Sequence, residues 1–200
     1  MERPPMFQVR IHGRGGQGVV TAAELLAQAA FFEGRHAQAF PSFGSERTGA
    51  PVVAFARIAE TPIRVREPVM MPDAIIVQDE TLLHAIDVFN GLSPSGAVVI
   101  NTTHTLAELG LGEFASTKIR FVTVPATQLA MEHLGKPVPN AVLLGAFAAF
   151  TNAVSLDAVI RAISERFSNK LAAGNSSAAT AAFEIVRSQL TLEHGEPAHA

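Results

Sequence analysis

The sequence predicts a three-layer α/β domain on a mostly parallel sheet, with a helical C-terminal part, and three observations carry that prediction. Apolar runs of strand length alternate with helical patterns along the first 125 residues. Two of those runs, at residues 73–78 and 97–101, are apolar almost without interruption, as strands buried on both faces are. After Pro125 only helical patterns remain.

The elements follow in order. Residues 7–11 alternate with period two and run into glycines, which marks a first strand. Residues 17–33 are helical, with Leu25, Leu26, Ala29 and Phe32 on one side and Gly34 as the stop. A short strand is expected at 37–40, then a loop of turn formers at 41–51. A third strand follows at 52–58 and an edge strand at 63–66, the last two forming an antiparallel hairpin because no helix separates them. The buried strand at 73–78 leads to a helix at 81–90 closed by Gly91. Further strands are expected at 97–101 and 119–124. Four helices then follow, at 126–134, 140–151, 155–167 and 178–190, with Asn140 and Ser155 as caps. The expected organisation is a single domain over residues 1–190 and a loose tail over 191–200.

Composition excludes several classes of function. Among 200 residues there is no cysteine, so disulfides, thiolate zinc, ordinary iron–sulfur clusters and a cysteine nucleophile are ruled out. The formal charge of −3 argues against a nucleic-acid grip by bulk positive charge. The charged fraction, 16%, is low for a soluble domain, as expected of one piece of a larger assembly whose surface is partly covered. The first five residues carry no apolar signal region, and the longest apolar stretch, near residues 141–150, is too short to span a bilayer, so the expected location is the cytoplasm.

The chemistry-bearing motif is Gly13-Arg14-Gly15-Gly16-Gln17-Gly18, set between the first strand and the first helix: a Rossmann-like start. Glycine allows positive φ and a close approach to the backbone, while the first N–H groups of a helix lack internal partners. Such a loop suits a phosphate or another anion, and Arg14 adds positive charge. A dinucleotide site would also need an acidic residue at the end of the second strand, but that strand ends in Ala39-Phe40-Pro41, and Glu33 sits at a helix end. No Lys-Ser or Lys-Thr follows the glycines, so a Walker loop is absent. Tight packing, or docking of a partner backbone, is the alternative use of these glycines.

Other residues carry paired readings. Ser45, Glu46 and Arg47 lie in the long loop and are either ligand contacts, with Arg47 on a phosphate, or a solvated pair. Arg57, Arg64 and Arg66 form a basic rim or, as favoured here, the exposed side of an edge strand. Asp79 and Glu80 read as the start of a helix rather than an acid–base pair. None of the seven histidines has a zinc-like spacing, so no metal is assigned. Asn101 and Asn140 are backbone caps or ligand contacts.

The stretch from Gly13 to Leu26 resembles the opening of the gamma subunit of 2-oxoacid:ferredoxin oxidoreductases, of which pyruvate:ferredoxin oxidoreductase is the familiar member. The resemblance continues in Phe43-Gly44-Ser45-Glu46-Arg47-Thr48-Gly49-Ala50-Pro51-Val52, in Pro72-Asp73, in Asn101-Thr102, in the segment from Asn140 to Ala146, and in Phe167, Lys170 and Asn175. It spans roughly residues 7–185. It implies membership of a complex that decarboxylates a 2-oxoacid on thiamine diphosphate and magnesium, passes electrons through iron–sulfur clusters to ferredoxin, and releases an acyl-CoA, reversibly. It further implies alpha, beta and delta-type partners that carry the thiamine and the clusters. The gamma chain, in that arrangement, packs beside the active site on the coenzyme A side, offering Gly13, Arg14, Gly15, Gly16, Gln17, Gly18, Ser45, Glu46 and Arg47. The sequence also lacks a Gly-Asp-Gly with the Asn of a thiamine diphosphate motif, so the chain alone is expected to bind none of these cofactors and to show no turnover. The alternative is a stand-alone nucleotide-binding Rossmann-like protein.

Overall fold

The computed structural model describes residues 6–42 and 48–195. Six strands form one sheet: β1 (Met6–Arg14), β2 (His36–Pro41), β3 (Pro51–Ala59), β4 (Ala74–Val77), β5 (Ala97–Asn101) and β6 (Arg120–Val124). Their spatial order is β2-β3-β1-β4-β5-β6. The pairs β1/β4, β4/β5 and β5/β6 are parallel, while β3 runs antiparallel to both β1 and β2.

The helices are α1 (Val19–Phe32), α2 (Ala126–Leu134), α3 (Asn140–Thr151), α4 (Leu156–Arg166) and α5 (Asn169–Gly195). Alternation sorts the strand side chains between two cores. On β1, Val9 and Ile11 face the helical layer, where Leu25, Leu26, Val142, Leu143, Phe147 and Ile163 close the larger core. On the other face, Ile75, Val77, Val98 and Ile100 pack under Leu82, Val88, Leu109 and Leu111 from irregular chain and two short 3-10 helices, Glu80–His84 and Gly112–Ser116. Helix α3 is buried from Asn140 to Phe150, which is why its sequence is apolar all round rather than on one stripe. It approaches α5 so closely that a Cβ on Gly145 would lie 1.9 Å from the Ala179 carbonyl oxygen. Ser155 caps α4, its hydroxyl accepting from the Ala158 N–H at 3.2 Å.

Four expectations change. The antiparallel hairpin is β2/β3, and residues 63–66 form no strand, despite their alternation. The reason is topological: both edges of β3 are already taken, by β2 and β1. The segment after β3 instead straps the second face of the sheet. Arg57 donates to the Glu67 carbonyl, and Gln8 Nε2 donates to the Met71 carbonyl at 3.2 Å. Arg57 is therefore buried, at 1% exposure, whereas Arg64 and Arg66 are exposed, so the three do not share one solvated strand face. The helix expected at 81–90 shrinks to the Glu80–His84 turn. The carbonyls of Val88 and Asn90 accept from Arg10 Nη2 instead, at 2.9 and 2.5 Å. Helix α5 begins before 178 and runs to Gly195, past the expected start of the tail at 191. Residues 196–200 lie outside the described residues.

Candidate functional site

The glycine motif sits at the carboxyl end of β1, beside the carboxyl ends of β4, β5 and β6, where open α/β sheets hold ligands. β1 extends through Arg14, so the loop itself is short. Gly16 (φ 97°) and Gly18 (φ 70°) adopt left-handed conformations that only glycine takes at little cost. Gly13 has a different reason to be glycine. A Cβ there would lie 2.6 Å from Val19 Cγ2 and 2.9 Å from Gln78 Oε1. At Gly18 the obstacle is Asn140, whose Nδ2 would be 2.4 Å from a Cβ. Gly13 and Gly18 are required by close packing, while the start of α1 has no side-chain cap and no acidic residue in its first turn.

A hydrogen-bond network fixes the loop. Arg14 N–H donates to Gln17 Oε1 at 2.8 Å, and Gln17 Nε2 donates to Asp79 Oδ2 at 2.9 Å. The Arg14 guanidinium lies 3.3 Å from Asp79 Oδ2, donates to Thr81 Oγ1 through Nε and Nη2, and donates to the Gly49 carbonyl through Nη1 at 3.0 Å. Gly15 is stitched to the following segment by Gly15 N–H to Ala50 O at 2.9 Å and Gly49 N–H to Gly15 O at 3.1 Å. Asp79 also caps the 3-10 turn by accepting from Thr81 N–H at 3.1 Å. Burial pushes the Asp79 carboxyl up, but the Thr81 and Gln17 hydrogen bonds and the Arg14 charge outweigh it, so the group stays below the usual carboxylate range.

Depressions open beside this network. A crevice of about 320 Å³ opens between the ends of β4, β5 and β6, lined by Gln17, Asp79, Glu80, Asn101, Thr102 and Thr127 among others. A smaller one of about 180 Å³ lies against Arg14, Gly15, Gly16, Gly18 and the first residues of α1. The crevice carries two carboxylates, while the smaller depression offers the uncapped helix start, so an anion is better placed in the latter. Asn101 serves the backbone. Its Nδ2 donates to the Gln78 carbonyl at 2.8 Å and its Oδ1 accepts from Thr127 N–H at 3.0 Å, joining the ends of β4 and β5 to the start of α2. Asn140 accepts from Ala141 N–H at 2.7 Å and donates to the Gly18 carbonyl at 3.4 Å, tying the starts of α3 and α1 together.

The structure brings Gly13, Arg14, Gly15, Gly16, Gln17 and Gly18 into one site. Ser45, Glu46 and Arg47 lie outside the described residues. Asp79 and Thr81 belong to the site although local sequence marks Asp79 only as a cap and Thr81 not at all. His12 is buried within β1. Its Nε2 accepts from Arg10 Nε at 3.0 Å, and burial, then the Arg10 charge, lowers its pKa to about 4. Glu33 is no ribose acceptor: it accepts from Arg35 and, at 2.8 Å, from the Ser155 N–H, closing α1 against α4. Among the described residues no group of three or more His, Asp or Glu could hold a metal ion.

Comparison with known proteins places the chain in a family. The family model described as pyruvate ferredoxin/flavodoxin oxidoreductase matches residues 8–185. A pyruvate synthase subunit PorC from Methanothermobacter marburgensis is 49% identical over 182 residues, covering 91% of this chain and 98% of that one. A pyruvate/ketoisovalerate oxidoreductases common subunit gamma from Thermococcus litoralis is 46% identical over 179 residues, 90% of this chain and 96% of the relative. The crystal structure of pyruvate oxidoreductase subunit PORC from Thermotoga maritima superposes with a TM-score of 0.76 at 35% identity, over 90% of this chain and 96% of that chain. These matches set aside the stand-alone nucleotide-binding alternative.

Proposed function

The chain belongs to the pyruvate ferredoxin/flavodoxin oxidoreductase family as one of its gamma subunits, and we propose that it completes the coenzyme A side of the active site without carrying a redox centre itself. It is a subunit of a multi-subunit oxidoreductase, in which a 2-oxoacid, CoA and oxidised ferredoxin give acyl-CoA, CO2 and reduced ferredoxin, reversibly. The partners in this reading are alpha, beta and delta-type subunits. They hold thiamine diphosphate, magnesium and the iron–sulfur clusters, and ferredoxin meets the complex through them. A chain without cysteine has no thiolate for a cluster, which supports that division. No described helix is long and apolar enough to cross a membrane. The proposed location is the cytoplasm.

The observation that carries the reading is kinship over nearly the full length of relatives that are themselves single subunits. The proposed ligand contacts are Gly13 through Gly18, with Ser45, Glu46 and Arg47 from the adjoining loop. CoA carries anionic phosphates, and the uncapped start of α1 beside Arg14 is chemically matched to one of them. The experiment is steady-state kinetics of the assembled complex. Arg14→Ala and Arg47→Ala should raise the KM for CoA more than the KM for the 2-oxoacid. An unchanged KM for CoA in both would remove the ligand role and leave the loops as packing or partner contacts. Turnover by the isolated polypeptide with 2-oxoacid, CoA and a dye acceptor would overturn the non-catalytic assignment.

A further inference from the structure

We propose that Asp79 is a positioning residue: from the end of β4 it sets the orientation of the Arg14 guanidinium and of Gln17, and so pre-forms the glycine loop for an anionic ligand. This rests on the reading of that loop as a ligand contact. The observations are independent of it. One carboxylate serves both polar side chains of the motif, Arg14 at 3.3 Å and Gln17 at 2.9 Å, across more than sixty residues of chain. The second member of the same turn, Thr81, receives Arg14 Nε and Nη2 on its hydroxyl while that hydroxyl donates to Asp79 Oδ1. Arg14 Nη1 then holds the Gly49 carbonyl, the near end of the segment that carries Ser45, Glu46 and Arg47.

This arrangement spends three of the five guanidinium N–H groups on described residues, and the other two have no hydrogen-bond partner among the described residues. A planar fork already fixed in place loses less freedom on binding than a mobile one. The two carboxylate oxygens of Asp79 are occupied by Thr81, Gln17 and Arg14, so Asp79 has no coordination left for a ligand of its own. Its effect must pass through the groups it holds.

Competition between Asp79 and the ligand for Arg14 would predict the opposite sign. If Asp79 merely masked the arginine, removing its charge would tighten anion binding. Positioning predicts weaker binding.

The test uses the assembled complex with CoA as the varied substrate. Asp79→Asn should raise the KM for CoA about five- to tenfold, as for loss of a partly exposed charge-assisted contact, and more than it lowers kcat. The Arg14→Ala/Asp79→Asn double variant should raise the KM by less than the product of the two single effects, because both changes remove the Arg14–Asp79 interaction and only the Gln17 contact remains for Asp79→Asn to disturb. Thr81→Val should reproduce part of the rise and Thr81→Ser should restore the parent value. That pair carries the test if Asp79→Asn does not assemble. Multiplying effects in the double variant, a lowered KM in Asp79→Asn, or a silent Thr81→Val would each overturn the proposal. The two levels separate cleanly. If Arg14→Ala leaves the KM for CoA unchanged, the ligand reading of the loop fails and the positioning role with it. If Arg14→Ala raises it and Asp79→Asn does not, only the positioning role fails.

Discussion

Lowering the pH from 7 to 5 should destabilise the folded chain through His12. The imidazole is 4% exposed on β1, and Arg10 Nε donates to its Nε2 at 3.0 Å, so the neutral ring carries its proton on Nδ1. Nδ1 has no partner among the described residues. Burial, and next the Arg10 charge, depress the pKa from 6.5 to about 4. In the unfolded chain the ring takes a proton near pH 6.5, whereas the folded chain resists until about pH 4. The unfolded state therefore binds more protons between those values, and stability falls as pH falls through the window. The loss is about 2 kcal/mol between pH 7 and 5 and approaches about 3 kcal/mol at pH 4. Protonation would also break the Arg10 bond and set two cations side by side. Urea unfolding at pH 7, 6 and 5 measures the slope for the parent and for His12→Gln, whose side-chain oxygen can still accept from Arg10. The depressed carboxyls of Asp79 and Glu33 lose their contribution only as pH falls below their unfolded range, and Asp73, raised by burial, works with the opposite sign. All three are common to both proteins, so the difference isolates His12. Equal slopes in the two proteins would refute the reasoning.

Two packing predictions follow from the close approaches. Gly145→Ala should cost about 3 kcal/mol or more, measured by chemical denaturation, because its Cβ meets the Ala179 carbonyl oxygen at 1.9 Å and neither α3 nor α5 can yield cheaply. Gly18→Ala should cost about 1–3 kcal/mol, since a φ of 70° is strained for alanine and Asn140 Nδ2 lies 2.4 Å from the new methyl. Adding Asn140→Ala removes the obstacle but not the strain, so the double variant should recover part of the Gly18→Ala loss relative to Asn140→Ala.

What the sequence reveals tracks how local each cause is. Residues 97–101 form β5 with the expected bounds, because a continuous apolar run between turn residues has few other fates. Helices α2 and α3 also coincide with their expected spans, ended by Gly135 at φ 69° and by Asn152 at φ 53°. Residues 63–66 fail for a non-local reason: their alternation suits a strand, but the sheet has no vacant edge beside β3. Arg57 fails similarly. An arginine on an alternating strand looks solvated until a strap that starts beyond the strand covers it, with the Arg57 guanidinium over the Phe40 ring at 5.0 Å.

The candidate site divides along the same line. Gly13 to Gly18 is legible because its conformational demands are written into consecutive residues. Its electrostatics are not, because the partners lie elsewhere in the chain: Asp79 and Thr81 sit at the other side of a parallel β1/β4 pairing, with Gln78 N–H bonded to the His12 carbonyl at 2.8 Å. That register pairs His12 with Val77, so Asp79, two residues past the end of β4, comes level with Arg14, two residues past His12, and the acidic side chain meets the arginine by construction of the sheet. Read by neighbours in sequence, Asp79 is a cap and Arg14 an unpaired charge. Read by neighbours in the sheet, they are one unit, and the positive charge of the loop is that of a braced arginine rather than a free one.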